Sequence, residues 1–247
     1  MRKVVVYMGD RRIYDQLIIA AKSLLAHTTV DHVYFLIDTP TFPEPLPDII
    51  TTINVHNQNI FPVNGPNYHP HYGYMTWMRT ALSKIFPSED VVLLLDPDTI
   101  VVDDISPMWD YDLSDYYLAA VKETRFYSNR SVHDKDPYFN AGVMLMNLAK
   151  LRADHIDDTL IQSVNAKHYK HLEQDVINLV CDKHILALPS EYNTSFVTDI
   201  TAHPRIRHFL SLAKDEYPEW ARKYERIEWN DILQKGANHH AEQETAE

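Results

Sequence analysis

The chain has 247 residues, 45% hydrophobic and 23% charged, enough to bury a sizeable core in one domain. Its formal net charge of −12 argues against a nucleic-acid partner, since affinity for a phosphate backbone comes mainly from Lys and Arg; any phosphate it binds needs a local cation. The single cysteine, Cys181, excludes an internal disulfide and a thiolate metal cluster, and reads as a small buried hydrophobe.

Met1-Arg2-Lys3 runs straight into Val4-Val5-Val6-Tyr7. That apolar stretch is too short for a signal peptide, and no run of about 18 apolar residues follows, so the expectation is a cytoplasmic protein. Val4 to Met8 is the first of three apolar runs rich in β-branched residues, with Val33 to Ile37 and Val91 to Leu95; none alternates cleanly, which predicts strands covered on both faces. Between them Ile13, Leu17, Ala20 and Leu24 recur at helical spacing, as do Met75, Met78, Leu82 and Ile85. This alternation predicts an α/β domain with a Rossmann-like first half. Pro40, Pro43, Pro45 and Pro47 mark a loop before Ile49 to Val55. Asn57 to Tyr74 is a long aperiodic segment, and such segments are often substrate loops. Its His69-Pro70-His71 cluster, with Tyr68, Tyr72, Tyr74 and Trp77, reads either as an aromatic lining for an acceptor groove or as a packed loop. Asn140 to Leu148 predicts a further covered strand, Leu151 to Val164 and Leu172 to Val180 helices, and Trp220, Tyr224 and Ile227 one face of a last helix. Arg222, Lys223 and Arg226, beside Trp220 and Trp229, read as a solvated face or as a peripheral membrane contact. Residues 1–235 are expected to form one domain, with a polar, frayed tail over 236–247.

The stretch richest in chemistry is Val91 to Thr99, an apolar strand that stops in Asp96-Pro97-Asp98. Ligands of open α/β sheets bind at such carboxyl ends. Two carboxylates a few ångströms apart repel by roughly 1–4 kcal/mol, which a divalent cation would relieve, and oxygen ligands favour magnesium or manganese. Capping of a turn is the competing reading of the spacing alone.

Leu-Leu-Leu-Asp96-Pro-Asp98-Thr-Ile-Val resembles the Asp-x-Asp element of family 8 retaining glycosyltransferases, relatives of glycogenin and of lipooligosaccharide galactosyltransferases. Further segments match in the family's order: Asp10 and Tyr14 before Ala20-Ala21-Lys22-Ser23; Arg79 ahead of the metal strand; Phe139-Asn140-Ala141-Gly142-Val143; Glu173-Gln174-Asp175-Val176-Ile177-Asn178; and His208-Phe209 with Lys214 at the family's spacing. The resemblance spans about residues 3 to 214 and implies a GT-A fold with a mostly parallel mixed sheet flanked by helices. It implies a hexosyltransferase using UDP-glucose or UDP-galactose and an unidentified carbohydrate-type acceptor, with Mn2+ or Mg2+ held by Asp96, Asp98 and His208. Lys214 would neutralise the leaving diphosphate, Asp10 and Tyr14 would hold the uridine, and Arg79 would belong to the nucleotide site. Asn140 and Gln174 would face the sugar. Retention follows either from attack by Gln174 or Glu173 on the anomeric carbon, or from acceptor entry on the leaving-group face; an amide is a poor nucleophile, which favours the second. Asp10 could equally cap the helix beginning near Arg12.

The sequence also departs from the pattern. Ser211 stands at a glycine position, Asp215-Glu216 replace Pro-Trp, and in Tyr117 to Glu123 only Glu123 is available where relatives often place an aspartate. These changes leave open a protein that binds UDP-sugar without turnover. A haloacid dehalogenase-type phosphohydrolase would use Asp96 as nucleophile, but about ninety residues of α/β pattern precede the motif, and the later acidic pair Asp157-Asp158 lies in a helical pattern.

Overall fold

The computed structural model describes residues 1–68, 73–124, 137–210 and 215–234. Lys214, Ser211, His69, Pro70, His71, Tyr72 and the tail over 236–247 lie outside them. Among the described residues the strands and α-helices follow in the order β1 (Val4–Gly9), α1 (Tyr14–His27), β2 (His32–Ile37), β3 (Ile50–Asn54), α2 (Leu82–Ile85), β4 (Val91–Leu95), β5 (Thr99–Val101), β6 (Leu118–Lys122), β7 (Phe139–Asn147), α3 (Leu148–Ala153), α4 (Ile156–Ala166), α5 (Leu172–Cys181), β8 (Ile185–Leu188), β9 (Ile206–His208) and α6 (Tyr217–Glu225).

Seven strands form one sheet in the order β3-β2-β1-β4-β7-β6-β8. β1 pairs in parallel with β2 and β4, and β2 with β3. β7 runs antiparallel to both its neighbours, and β6 is parallel to β8, so every strand of the sheet except β7 points the same way. The expected mostly parallel mixed sheet is what the chain builds. Within β1 the side chains of Val4, Val6 and Met8 enter one apolar cluster and those of Val5 and Tyr7 another. Both faces are thus covered, which is why the sequence lacks alternation. Leu17, Ala20 and Leu24 of α1 close one face; Met78, Leu82, Leu160 and Val176 close the other.

From β1 the chain moves outward to β3 and then crosses back to β4 on the other side of β1. The carboxyl ends of β1 and β4 therefore flank the point where strand order reverses, the place where open α/β sheets leave a crevice. Because β7 is reversed, its first residues reach the same rim: Val143 pairs with Leu95, and Asn140 to Gly142 extend beyond it. A second, two-stranded sheet pairs β5 with β9, setting Thr99 opposite His208.

Several expectations change in detail. Met75 to Ile85 is a 3-10 segment, Met75–Ala81, that widens into the α-helix α2 only at its end. The helix expected over Leu151 to Val164 is two helices, α3 and α4, broken at Asp154 and His155, where His155 takes a left-handed φ of 56°. The backbone N–H groups of Asp154 and His155 close α3 onto the carbonyls of Lys150 and Arg152, and Asp157 and Asp158 then occupy the first turn of α4, where acids are favoured. α6 holds Trp220 and Tyr224 but ends before Ile227, which still packs against the core.

Two hydroxyls of the α1 region fix the segment that follows the acidic motif. Buried Ser23 Oγ accepts the Val101 N–H at 3.0 Å, and Thr28 Oγ1 accepts the Ile105 N–H at 2.9 Å. Ser23→Ala leaves the Val101 amide buried without a partner, a loss of about 1–3 kcal/mol. Urea unfolding of the variant should show a lower midpoint, and an unchanged midpoint would refute the pairing.

Candidate functional site

The Asp96 N–H bonds the Gly142 carbonyl at 2.8 Å, while the Thr99 N–H (3.1 Å) and Oγ1 (2.7 Å) both bond the Asp96 carbonyl. Pro97 and Asp98 thus sit at the centre of a tight turn, with Pro97 where its fixed φ suits the bend. β5 leaves this turn and pairs with β9, and the Phe209 N–H bonds the Asp98 carbonyl at 2.8 Å. The pairing delivers His208 from more than a hundred residues away. One ligand atom each from Asp96, Asp98 and His208 lies within 4.8 Å of the others; His208 Nε2 is 3.2 Å from Asp98 Oδ1 and 3.8 Å from Asp96 Oδ2.

The surroundings select which nitrogen of His208 faces the carboxylates. His208 is 2% exposed, and its Nδ1 lies 3.0 Å from the Asn193 side-chain oxygen. The Asn193 amide is itself oriented, since its Nδ2 donates to Asn140 Oδ1 at 2.9 Å. Nδ1 therefore carries the donated hydrogen, and Nε2 is left buried with no hydrogen-bond partner among the described residues. Burial opposes charging this ring, but the Asp98 and Asp96 carboxylates outweigh it and hold the imidazole above the ordinary histidine value. Two carboxylates and an oriented, unpartnered imidazole nitrogen are a donor set suited to a divalent cation. Gly142 makes the convergence sterically feasible: a Cβ there would lie 2.1 Å from His208 Cε1 and 2.9 Å from Asp96 Oδ2.

Buried Arg79 braces the motif. Its Nη2 donates to Asp96 Oδ1 (2.8 Å), Nη1 to the Ala141 carbonyl (2.7 Å) and Nε to the Thr76 carbonyl (3.1 Å), and Nε lies 3.3 Å from Glu173 Oε1. All three nitrogens thus hold protein partners, so Arg79 positions Asp96. Glu173 is buried, with Oε2 unpaired among the described residues. Burial, only partly offset by Arg79, pushes its carboxyl up to about 7.

Asn140 and Gln174 meet beside the triad. Asn140 Oδ1 accepts the Gly142 N–H, and its Nδ2 donates to Glu123 Oε1 (3.1 Å) and Gln174 Oε1 (3.3 Å). Gln174 Oε1 also accepts the Ala141 N–H at 2.9 Å, and Nε2 donates to Glu123 Oε1 and Tyr138 Oη. The Tyr138 hydroxyl donates to Asp175 Oδ1 at 2.7 Å. Burial and the Asp175 charge both raise that hydroxyl's pKa.

Two cavities share the walls formed by Arg79, Asp96 and Asp98. One, of about 370 Å³, fills the crevice between β1 and β4 and is lined by Gly9, Asp10, Arg12, Ile13, Gln16, Met75 and Thr76. The other, of about 470 Å³, is lined by Asn140, Gln174, Glu173, His208 and a loop carrying His168, Lys170 and His171. Asp10 caps the turn, as its alternative reading expects, by accepting the Arg12 N–H at 2.9 Å, and it lines the first cavity, paired with the Arg12 guanidinium. Tyr14 does not line that cavity. Its ring stacks on Phe42 at 4.7 Å, and its hydroxyl bonds Asp38 Oδ1 (2.9 Å) and Thr39 Oγ1 (2.7 Å). Burial pushes the Tyr14 hydroxyl up to about 12; Arg12 and Ile13 stand at the cavity instead.

Sequence reasoning missed Asn193, Asp38 and the central place of Glu123. Asp38 follows the carboxyl end of β2, a position that could have flagged it; Asn193 carries no local signal. Of the proposed membrane face, Trp220 lies under Arg207 at 4.6 Å and Trp229 under Lys22 at 5.2 Å, so both rings are engaged within the fold. Among the described residues no helix is long and apolar enough to cross a membrane.

The fold recurs in known proteins. The solved structure of the glycosyltransferase GlyE of Streptococcus pneumoniae aligns with a TM-score of 0.71 at 22% identity, over 97% of this chain and 64% of that one. The galactosyltransferase LgtC, solved with donor and acceptor sugar analogues, aligns with a TM-score of 0.67 at 22% identity, over 93% of this chain and all of the other. Both likenesses establish the GT-A fold. In sequence, GlyE is 29% identical over 240 residues, 86% of this chain and 56% of GlyE; the chain spans about half the length of the curated relatives it matches. The phosphohydrolase reading of Asp96 is not favoured by any of these likenesses. A family model described as glycosyl transferase family 8 matches residues 4–217, and the chain belongs to that family.

Proposed function

We propose that residues 1–235 act as one catalytic unit, a retaining hexosyltransferase that moves glucose or galactose from a UDP-sugar to a carbohydrate-type acceptor with Mn2+ or Mg2+ at Asp96, Asp98 and His208. The observation that carries this reading is the convergence of the three side chains at the wall shared by two cavities, with the buried His208 Nε2 turned towards both carboxylates. The cation, when bound, would supply charge neutralisation for a diphosphate. On this reading the nucleotide fills the cavity at Asp10, the hexose lies towards Asn140 and Gln174, and Lys214 adds a second positive charge to the leaving group.

Retention is best served by acceptor entry on the leaving-group face. The bond from the anomeric carbon to the diphosphate oxygen breaks, a bond to the acceptor oxygen forms, and the acceptor's proton passes to the departing diphosphate. Gln174 is a poor candidate for direct attack because its Oε1 is engaged by the Ala141 and Asn140 N–H groups. Glu173 is held against Arg79 on the floor of the site.

The first test is UDP release from UDP-glucose and from UDP-galactose, each with Mn2+ and with chelator. Manganese-dependent release from one donor supports the reading and names the sugar, whereas UDP binding without release from either would point to a binder. Asp98→Asn keeps the side chain's shape and removes a ligand charge from a half-buried turn. It should lower turnover by more than about 100-fold, beyond the 10–100-fold typical of residues that only support a metal's ligands, with the fold retained by circular dichroism; full activity would remove the metal model. Gly142→Ala forces the new methyl against His208 and Asp96. Mn2+ affinity, read by electron paramagnetic resonance without any substrate, should fall at least about tenfold, and the strain should cost about 1–3 kcal/mol of stability. Unaltered Mn2+ binding in this variant would mean that the three side chains are not the ligands.

A further inference from the structure

The cavity of about 470 Å³ has two unlike walls. One carries the acids Asp96, Asp98 and Glu173; the facing loop carries His168, Lys170 and His171. That loop is held in shape by buried contacts. Asn67, 1% exposed, donates through Nδ2 to the carbonyls of Val164 (2.6 Å) and Lys167 (2.7 Å), and its Oδ1 accepts the Tyr169 N–H at 2.7 Å. The His171 N–H is held by Asp175 Oδ2 at 3.0 Å. The next residue, Leu172, has a φ of 49°, a left-handed conformation that a bulky side chain adopts only where its surroundings impose it.

A fixed, locally strained loop whose residues line a cavity is arranged for more than packing. Lys167 to His171 reads Lys-His-Tyr-Lys-His, without an acid, in a chain that has 35 acidic residues against 23 Lys and Arg. Lys170, His168 and His171, all lining this cavity, offer an ammonium and two imidazoles, which match an oxyanion better than a neutral sugar, whose hydroxyls need donors and acceptors in mixture. His168 is anchored through Nδ1 to the Pro66 carbonyl at 3.2 Å, and a bound anion favours the doubly protonated form of such a ring.

We infer that this loop is an acceptor subsite for a sugar bearing an anionic group, a phosphate or a carboxylate, close to the hydroxyl that is glycosylated. The inference rests on the transferase reading above, since the loop faces Asn140, Gln174 and the triad across the same cavity.

Ligand-observed NMR tests it without turnover, using inorganic phosphate, glucose, glucose 6-phosphate and glucuronate in buffer with chelator so that no metal binds the phosphate. The anionic sugars should bind at least about tenfold more tightly than glucose, and Lys170→Gln combined with His171→Gln should shrink that preference below about threefold. A preference for glucose 6-phosphate, shared by inorganic phosphate, identifies a phosphate acceptor, and one for glucuronate a carboxylate. Equal binding of charged and neutral sugars, or a preference that survives the double substitution, overturns the inference. The same sugars as acceptors in the UDP-release assay separate the two readings. Turnover indifferent to acceptor charge defeats the subsite alone, while anion-selective binding with no consumption of either donor defeats the transferase reading and leaves the loop's selectivity standing.

Discussion

Two carboxylates one residue apart at the end of a covered strand repel each other, and much of the neighbouring structure answers that repulsion. Each acid has its own resident counter-group: Arg79 Nη2 sits on Asp96 Oδ1, and His208 faces Asp98 Oδ1. Arg79 is shared with Glu173, so its single charge serves two acids, and burial, only partly offset by Arg79, raises the Glu173 carboxyl. His208 answers from the other side, its raised pKa recording the field of the pair. A divalent cation in this position would take over the role of the imidazole proton and engage His208 Nε2, a buried nitrogen with no hydrogen-bond partner among the described residues. The resting arrangement is therefore a frame for a positive charge.

The frame is rigid because its polar atoms form one connected network. From Asp175 the chain of hydrogen bonds passes through Tyr138, Gln174, Glu123, Asn140 and Asn193 to His208 Nδ1. Almost every member is buried, where an unsatisfied group is costly and a satisfied one resists displacement. The amides proposed to face the sugar and the imidazole proposed to face the metal are thus held by the same contacts. The reversal of β7 makes this feasible: a parallel strand in its place would bring its carboxyl end to the rim, whereas β7 brings its first residues, Asn140 and Gly142, with glycine at the closest approach.

How much of this was legible depends on the range of the interactions concerned. β1, β2, β4 and β7 were readable as apolar runs because burial on both faces is written into each residue of the strand. β5, β8 and β9 are three or four residues long, too short for any period, and exist because partners elsewhere in the chain pair with them. The break at His155 was hidden because apolar positions continue across it at near-helical spacing. Asp96 and Asp98 announced themselves by strand and spacing, whereas His208 was legible only through family resemblance, its position being set by the β5–β9 pairing. Asn193 had no signal at all, since nothing local distinguishes a buried amide from one in a surface turn. Tyr14 shows the opposite failure: it is where the motif suggests, but the 3-10 turn at Arg11–Ile13 directs its neighbours to the crevice and turns it onto Phe42 and Asp38.

The distribution of cations constrains how a diphosphate can be held. Of the guanidinium groups lining the crevice, Arg12 is paired with Asp10, and Arg79 with Asp96 and Glu173. Releasing Arg79 to a ligand would leave Asp96 and Glu173 without their counter-charge in a buried setting, which costs several kcal/mol. Arg12 is more exposed, and its guanidinium is already paired with Asp10. Neither guanidinium, then, can turn to an incoming diphosphate without exposing the acid it already balances. A cation bound at the triad would supply the neutralising charge directly, in a chain whose net charge is −12 and whose other cations at this cavity, Lys170, His168 and His171, come from a separate loop.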